Sequence, residues 1–290
     1  MSGLFNTGVR PAIDAFLLAE AAKKRDYGSY WSASSAGYCM RKNIYDRLGL
    51  PHTSEDPRKQ RVFTSGHIFH DWIQEITRNA GLSVAQEVEL QDEDLMIRGH
   101  FDDLIRIQLD ESGEPVTLGS EPRGGHLILY DYKTVNSGSF VWAKKNGNAM
   151  SHFHRLQLGT YMYMLRKIGK NHKYRTAKFP EYDGKTFKYE EYDVRNLAEA
   201  RILKIEKDTL MMGEQQLLWS EGLEKDVVGY WRTLNGYWKK KLVPKCTCAD
   251  YENGFMAKDK FNPFYYDGEP CSTKWLAKHK ELAEGWKVQP

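Results

Sequence analysis

Apolar residues recur every three or four positions along several parts of the chain, which is the spacing of one face of an α-helix. In the segment Val62–Ala80, Phe63, Ile73 and Ile76 follow this spacing, and Gly81 is typical of a helix end. The predicted helices are Pro11–Arg25, Ser32–Leu48 with Ser32 as its N-cap, Val62–Ala80, His152–Lys167, Asn196–Met212 and Glu221–Lys241.

Between the third and fourth of these helices, the apolar period changes to the alternation of a β-strand. The clearest example is Leu127–Thr134, with the sequence LILYDYKT. The predicted strands are Val84–Leu90, Leu95–Leu109, Leu127–Thr134 and Phe187–Val194, with loops at His52–Lys59 and Glu111–Gly125. This order predicts one compact α/β domain with an N-terminal helical segment (1–61), a core (62–195) and a C-terminal segment (196–290).

Composition narrows the class of protein. The chain has 290 residues and a formal net charge of only +3, so a nucleic-acid site would have to be a local basic patch. No run approaches the roughly 18–20 apolar residues that span a bilayer, and residues 1–10 lack the pattern of a secretion signal. We therefore expect a cytoplasmic protein without a membrane partner, in which cysteines are thiols or metal ligands rather than disulfides.

Charged residues interrupt the best predicted strand. Asp131 and Lys133 are two residues apart, so they point to one face of the sheet while Tyr132 points to the other. A charged pair inside an apolar strand is costly unless something compensates it. A divalent metal ion would do so, since carboxylates bind Mg²⁺ or Mn²⁺, and an imidazole ligand shifts the preference toward Mn²⁺.

Four short motifs occur in a fixed order: G-x-x-x-H (Gly66, His70), G-x-x-D (Gly99, Asp102), D-x-K (Asp131, Lys133) and Q-x-x-x-Y (Gln157, Tyr161). Together they resemble the motif series of the RecB-like nucleases. The resemblance implies a PD-(D/E)XK core, which is a central mixed sheet flanked by helices. It also implies hydrolysis of DNA phosphodiester bonds with Mg²⁺ or Mn²⁺. The implied metal ligands are His70, Asp102, Asp131 and the backbone carbonyl of Tyr132, with Lys133 as the catalytic lysine and Gln157, Tyr161 and Arg41 as substrate contacts.

Each of these residues also has a purely structural interpretation. His70 alone is more typical of a core histidine on an amphipathic helix, and Asp131 and Lys133 could form a simple ion pair. Asp103 could replace Asp102 as the ligand, although its alternation with Phe101 places it on the apolar side of the strand. The ordered occurrence of all four motifs favours the nuclease interpretation.

The four cysteines form a second constellation: Cys39, Cys246, Cys248 and Cys271. One early and three late cysteines, with Cys39 and Arg41 as C-x-R, resemble the iron–sulfur subset of this family, in which a [4Fe–4S] cluster joins the N- and C-terminal segments. The C-x-C pair and the long gap before Cys271 depart from that pattern. Zn²⁺ bound by four thiolates and free thiols are the alternatives, and we favour them in that order after the cluster.

The expected substrate is DNA, single-stranded or with free ends, in phage replication or recombination or in CRISPR adaptation. Basic residues near Trp231, Trp238 and Trp275 suggest a track on which bases stack. The sequence GKT at 184–186 lacks the glycine that a phosphate loop needs at 179, so no nucleoside triphosphate is expected. A DNA end-binding or processing subunit without hydrolysis and a structure-specific endonuclease are the alternative functions.

Overall fold

The structure is a computed structural model that describes residues 9–21, 29–53, 56–107, 126–145, 150–168, 173–175, 189–191, 194–250 and 262–289. Contacts within the chain divide it into two units. The first unit comprises residues 1–31, 37–68 and 232–290, and the second comprises residues 32–36 and 69–231. The segment 196–231, which was expected to belong to the C-terminal segment, lies in the second unit.

In chain order, the elements are α1 (Arg10–Ala21), β1 (Trp31–Ser32), a 3-10 helix (Ala33–Ser35), α2 (Met40–Arg47), α3 (Pro57–Asn79), β2 (Ser83–Asp92), β3 (Ile97–Ile107), β4 (His126–Val135), α4 (Ser137–Lys145), α5 (His152–Ile168), β5 (Lys173–Arg175), β6 (Tyr189–Glu191), β7 (Glu199–Glu206), β8 (Met212–Leu218), α6 (Glu221–Lys239), β9 (Leu242–Val243), α7 (Thr273–Lys278), a second 3-10 helix (Lys280–Ala283) and β10 (Lys287–Val288). The expected loop Glu111–Gly125 lies outside the described residues, as do residues 22–25 of the first expected helix and residues 187–188 and 192–193 of the last expected strand.

The second unit is built on a mixed sheet with the strand order β1-β3-β4-β7-β8, in which β2 also pairs with β3. The β3–β4 and β7–β8 pairs are antiparallel, and β4–β7 is parallel. The parallel pair requires a crossover, and α5 lies within it. The expected α/β class with a central mixed sheet flanked by helices is confirmed.

The two faces of β4 have different partners. Tyr130 and Tyr132 pack with Ile73 of α3 in an apolar cluster that also contains Ile105, Ile128 and Ile205. On the opposite face, the carboxylate of Asp131 accepts a hydrogen bond from Gln157 of α5. The alternation that the sequence predicted for Asp131, Tyr132 and Lys133 is therefore confirmed.

Asp103 faces the apolar side of β3 and is fully buried. Its carboxylate accepts hydrogen bonds from Ser83 (2.6 Å), Thr77 (2.7 Å), Tyr132 (2.8 Å) and Gln86 (2.9 Å). The pKa of Asp103 is raised by burial, although the four hydrogen bonds act to lower it. Since both oxygens are engaged, Asp103 does not offer a metal ligand, and the alternative that placed it in the site is wrong.

The helix predicted at Asn196–Met212 is wrong, because this segment forms β7 and the start of β8. Its charged residues fit the outer face of a helix, but Ala200 and Ile202 are fully buried two residues apart, which is the period of a strand. Pairing of β7 between β4 and β8 therefore outweighs the local helical propensity.

The helix predicted at Ser32–Leu48 begins only at Met40. Gly37 adopts a φ of +77°, which interrupts the segment, and residues before it form β1 and a 3-10 helix. The side chain of Ser32 makes no capping hydrogen bond, and Cys39 occupies the N-cap position of α2. The loop predicted at His52–Lys59 is shorter than expected because α3 already begins at Pro57.

Gly99 of the G-x-x-D motif lies where no side chain fits. A Cβ at this position would lie 2.8 Å from the Cβ of Ala33 and 3.0 Å from the hydroxyl oxygen of Tyr161. The glycine thus allows Tyr161 of α5 to pack against β3, about two and a half turns from the start of that helix. This contact links the second motif to the fourth.

Replacing Gly99 with alanine should therefore destabilise the protein by about 1–3 kcal/mol, the usual cost of overpacking. Thermal unfolding should show a Tm lowered by roughly 3–10 °C. Gly229→Ala is the matched control, because a Cβ there meets nothing within 4 Å and alanine favours a helix, so its Tm should stay or rise. Equal Tm values for both variants would contradict the packing argument.

Candidate active site and metal centre

His70 of α3 and Asp102 of β3 are brought together in the second unit. The Nε2 of His70 lies 3.0 Å from Oδ2 of Asp102. The same carboxylate oxygen accepts a hydrogen bond of 2.7 Å from the backbone N–H of Tyr132. The β3–β4 pairing starts at Asp103 opposite Tyr130, so Asp102 meets β4 through its side chain where the two strands separate.

Glu87 of β2 is the third member of this group, and the sequence did not indicate it. Its Oε1 lies 3.6 Å from Nε2 of His70. One ligand atom from each of His70, Glu87 and Asp102 lies within 4.8 Å of the other two, which is a spacing at which one ion can bind all three. Two carboxylates and an imidazole suit Mn²⁺, and also Mg²⁺ if water completes the shell.

The backbone of Glu87 has a φ of +50°, a left-handed value that costs a residue with a Cβ about 1 kcal/mol. The residues on either side of Glu87 keep their pairing with β3, because Gln86 lies opposite Asp103 and Val88 lies opposite Phe101. Gln74 of α3 helps to hold this conformation, since its Nε2 donates to Oε1 of Glu87 (2.8 Å) and to the carbonyl oxygen of Asp102 (2.9 Å). Backbone strain of this kind is concentrated at functional sites.

Asp131 and Lys133 form the expected same-face pair. The Nζ of Lys133 lies 3.0 Å from Oδ1 and 2.9 Å from Oδ2 of Asp131, and Gln157 donates to Oδ1 at 2.9 Å. Among the described residues, the buried Oδ2 has no partner with hydrogen-bond geometry. Oδ2 is paired with Lys133 by charge but has no aligned hydrogen-bond donor, so it can also bind a cation.

Charges couple Asp131 to the group around Asp102. The pKa of Asp131 is raised to about 6, chiefly by burial and also by the negative charge of Asp102, against the attraction of Lys133. The pKa of Asp102 is lowered despite its burial, because it accepts a hydrogen bond from His70 and lies near the charge of Lys133. The pKa of His70 is raised by Asp102, against the effect of burial. Two carboxylates compete for few counter-charges, a situation that a divalent cation relieves.

The expected ligand set is therefore assembled in part. His70 and Asp102 are in contact, Glu87 joins them, and Asp131 is an electrostatic neighbour outside this three-residue group. Gln157 and Tyr161 are both buried; Gln157 holds Asp131, and Tyr161 packs at Gly99. Their substrate contacts, and the carbonyl of Tyr132 as a ligand, stay predictions.

The first unit contains a separate cluster of all four cysteines. Cys39 and Cys246 have a sulfur separation of 3.9 Å, Cys248 and Cys271 one of 3.5 Å, and all four sulfurs lie within 4.8 Å of one another. Cys246 is half-buried and the other three are buried. The fold brings Cys39 next to Cys246, which is 207 positions away in the sequence, as the predicted metal centre requires.

The surroundings of the sulfurs suit thiolates. The side-chain N–H of Asn262 lies 3.3 Å from the sulfur of Cys248 and 3.4 Å from that of Cys271, and the backbone N–H of Thr247 donates to Cys39. The pKa of Cys39 is lowered, chiefly by its contact with Cys246, whereas the pKa values of Cys248 and Cys271 are raised by the same neighbour. Metal binding must displace the thiol protons and is therefore favoured as the pH rises.

Four thiolates can bind either candidate metal, but the observed spacing of the sulfurs matches zinc more closely. Four sulfurs at about 2.3 Å from one Zn²⁺ are about 3.8 Å apart, close to the observed separations. A [4Fe–4S] cluster uses the same four thiolates but needs them farther apart, because irons and sulfides lie between them. The identity of the metal therefore stays a prediction.

Arg41 contributes to this cluster rather than to an exposed surface. Its buried guanidinium donates to the carbonyl oxygens of Pro244 (2.6 Å) and Cys271 (3.5 Å). These contacts hold the two segments that supply three of the cysteines. A role for Arg41 in substrate binding stays a prediction.

Two tryptophans of the expected base-stacking track are core residues instead. Trp231 is fully buried and donates to Oγ1 of Thr160, and Trp275 is 9% exposed and donates to the carbonyl oxygen of Pro51. The prediction that bases stack on these two rings is wrong, because their faces are covered by protein. Basic neighbours in the sequence did not indicate exposure of the rings.

No model of a protein family matches this sequence, and a search of curated proteins finds no match. Among solved structures, the chain is similar to one described as "Crystal structure of SSO0001", with a TM-score of 0.41 and 13% identity over 80% of this chain and 86% of that one. Among the described helices, none is long and apolar enough to cross a membrane.

Asp131→Asn should stabilise the metal-free protein at pH 8. The wild-type carboxylate, with a pKa of about 6, is charged and buried there at a cost that asparagine avoids. Because the pKa of Asp131 is higher in the folded than in the unfolded protein, its protonation stabilises the fold. This stabilisation is fully present below the unfolded pKa of about 3.9 and is lost as the pH rises through about 6. The Tm difference between variant and wild type should therefore shrink at pH 4–5. A variant that is equally destabilised at both pH values would contradict this assignment.

Metal analysis should identify the cysteine centre. Protein purified without oxygen should contain about four irons and four sulfides per chain and absorb broadly in the visible range. Cys248→Ser should lose this metal and lower the Tm. Colourless wild-type protein with one zinc per chain would show that the cysteines bind zinc and not the cluster. Protein without either metal would contradict both interpretations.

Proposed function

We propose that this chain is a metal-dependent deoxyribonuclease of the RecB-like PD-(D/E)XK type that removes nucleotides from an end of single-stranded DNA. The observation that carries the proposal is the convergence of His70, Glu87 and Asp102 next to the ion pair of the buried Asp131 and the half-buried Lys133. A binding-only protein has no need for two charge-coupled carboxylates with an ammonium group beside them.

The residues fit hydrolysis of a phosphodiester bond. His70, Asp102 and Glu87, with Oδ2 of Asp131, would hold Mg²⁺ or Mn²⁺, which supplies Lewis acidity and a reactive water when bound. Lys133 is 30% exposed and can contact both Asp131 and a substrate phosphate. Its ammonium would stabilise the charge that develops on the phosphate oxygens.

The remaining partners fix these groups in place. Gln157 holds Asp131, Gln74 holds Glu87, and the backbone of Tyr132 holds Asp102. A group held by two or more contacts loses little entropy when substrate binds, which supports catalysis rather than loose binding. This is why we favour an enzyme over the alternative of a DNA end-binding subunit.

The resemblance of the ordered motifs to RecB-like exonucleases supports DNA as the substrate and a free end as the point of attack. It also supports a setting in phage replication or recombination, or in CRISPR adaptation. In the first unit, we propose a structural [4Fe–4S] cluster at the four cysteines, with Zn²⁺ as the alternative. Its removal should affect stability before chemistry, because the cysteines and the carboxylates belong to different units.

The test is cleavage of end-labelled single-stranded DNA with Mn²⁺ or Mg²⁺, resolved on a denaturing gel. Lys133→Ala, Asp102→Ala and His70→Ala should each lower the rate by about 100-fold or more. Glu87→Gln should also lower the rate, with a larger loss at low metal concentration, because it removes one ligand charge. Glu75→Ala, which removes an exposed carboxylate from α3, is the matched control and should retain full activity.

Other outcomes would replace the proposal. Full activity in both Asp102→Ala and Lys133→Ala would contradict the site. Wild-type protein that binds DNA ends but does not cleave them with either metal would favour the end-binding subunit. Cleavage of circular single-stranded DNA would favour the endonuclease, since a circle has no end.

A further inference from the structure

A second basic residue lies next to Lys133 on the same face of the sheet. In the parallel pairing of β4 with β7, Lys133 is the register partner of Lys204. Register partners on adjacent strands point to the same side, and the strands are about 4.8 Å apart. Lys204 is therefore the neighbour of the candidate catalytic lysine, one strand farther from Asp102.

Lys204 is half-buried, and within the described part of the chain it forms no ion pair. Its register partner on β8 is Gly213, and the ring of Phe140 of α4 lies 3.5 Å from where a Cβ of that glycine would be, so this neighbour is apolar and offers no counter-charge. Burial lowers the pKa of Lys204, so the surroundings do not compensate its charge. In contrast, Lys133 has Asp131 as its counter-charge.

His154 of α5 lies near both ammonium groups. Its Nδ1 is buried and, as far as the described residues extend, has no hydrogen-bond partner. The pKa of His154 is lowered to about 3, chiefly by burial and also by the positive charges of Lys133 and Lys204. Lys133, Lys204 and His154 thus lie close together. Among the described residues, the carboxylate of Asp131 contacts Lys133 and neither of the other two.

We propose that Lys204 and His154, together with Lys133, form a binding subsite for a backbone phosphate of the DNA strand, next to the phosphate that is cleaved. The proposal rests on the proposed nuclease function, because that function supplies the phosphate. An anion here would compensate the charge of Lys204 and give Nδ1 of His154 a partner once the imidazole is protonated. A phosphodiester fits because successive phosphates of one strand can reach adjacent strands of the sheet.

The first experiment measures binding of a short single-stranded DNA in buffer with EDTA, by fluorescence anisotropy at several salt concentrations. Loss of one phosphate contact in Lys204→Gln should reduce the slope of log K against log salt by about 0.7. Without this contact, Lys204→Gln should bind the DNA about eightfold more weakly than the wild type at 50 mM salt and about threefold more weakly at 200 mM. Lys204→Arg keeps the charge and should keep the slope.

Lys225→Gln is the matched control, because it removes an exposed lysine from α6 with the same charge change. Its slope should equal that of the wild type. A Lys204→Gln slope equal to the wild-type slope would overturn the subsite. If the effect of Lys204→Gln disappears when a terminal phosphate is removed from the DNA, the bound group is that terminal phosphate; an unchanged effect assigns an internal phosphodiester.

The second experiment uses inorganic phosphate alone and follows the imidazole nitrogen resonances of His154 by NMR. Phosphate should shift these resonances and raise the pKa of His154 in the wild type, and should do so much less in Lys204→Gln. Such shifts in a protein that cleaves no DNA would support the anion subsite and contradict the nuclease. Absence of shifts in a protein that does cleave DNA would overturn the subsite alone.

Discussion

The second unit depends on keeping a buried carboxylate ionisable within an apolar sheet. Asp131 lies in the middle of β4, almost without exposure, and its charge is only partly compensated by Lys133. Asp102 lies close enough to raise the cost of that charge. A sheet selected for stability alone would place apolar residues at these positions. The hydrogen bonds from Gln157 and from the backbone of Tyr132 maintain an arrangement that becomes favourable when a cation binds.

The glycine, glutamine and tyrosine of the motifs have a common role in this arrangement. Gly99 leaves room for Tyr161, which brings α5 against β3, and the same helix presents Gln157 to Asp131. On the other face, Asp103 of β3 accepts a hydrogen bond from Thr77 of α3, and α3 is also the helix that carries His70. Helix packing on both faces of the sheet therefore fixes the distances between the candidate ligands.

Local period was enough to predict β4, α5 and the same-face placement of Asp131 and Lys133, because burial there follows the strand and helix repeats. It failed at β7, where Lys204 and its charged neighbours fit a helix surface and only pairing with β4 decides the structure. Glu87 could not be predicted, since its position follows from a left-handed backbone angle that no residue pattern indicates. Burial of Trp231 likewise depends on a distant partner, Thr160.

The most direct measurement is anomalous X-ray diffraction from crystals soaked with Mn²⁺. We expect a manganese peak within bonding distance of Nε2 of His70 and the carboxylate of Asp102, and its loss in crystals of Asp102→Ala. A manganese ion bound elsewhere, or no bound manganese while His70 and Asp102 keep their present contact, would show that these side chains do not form a metal site.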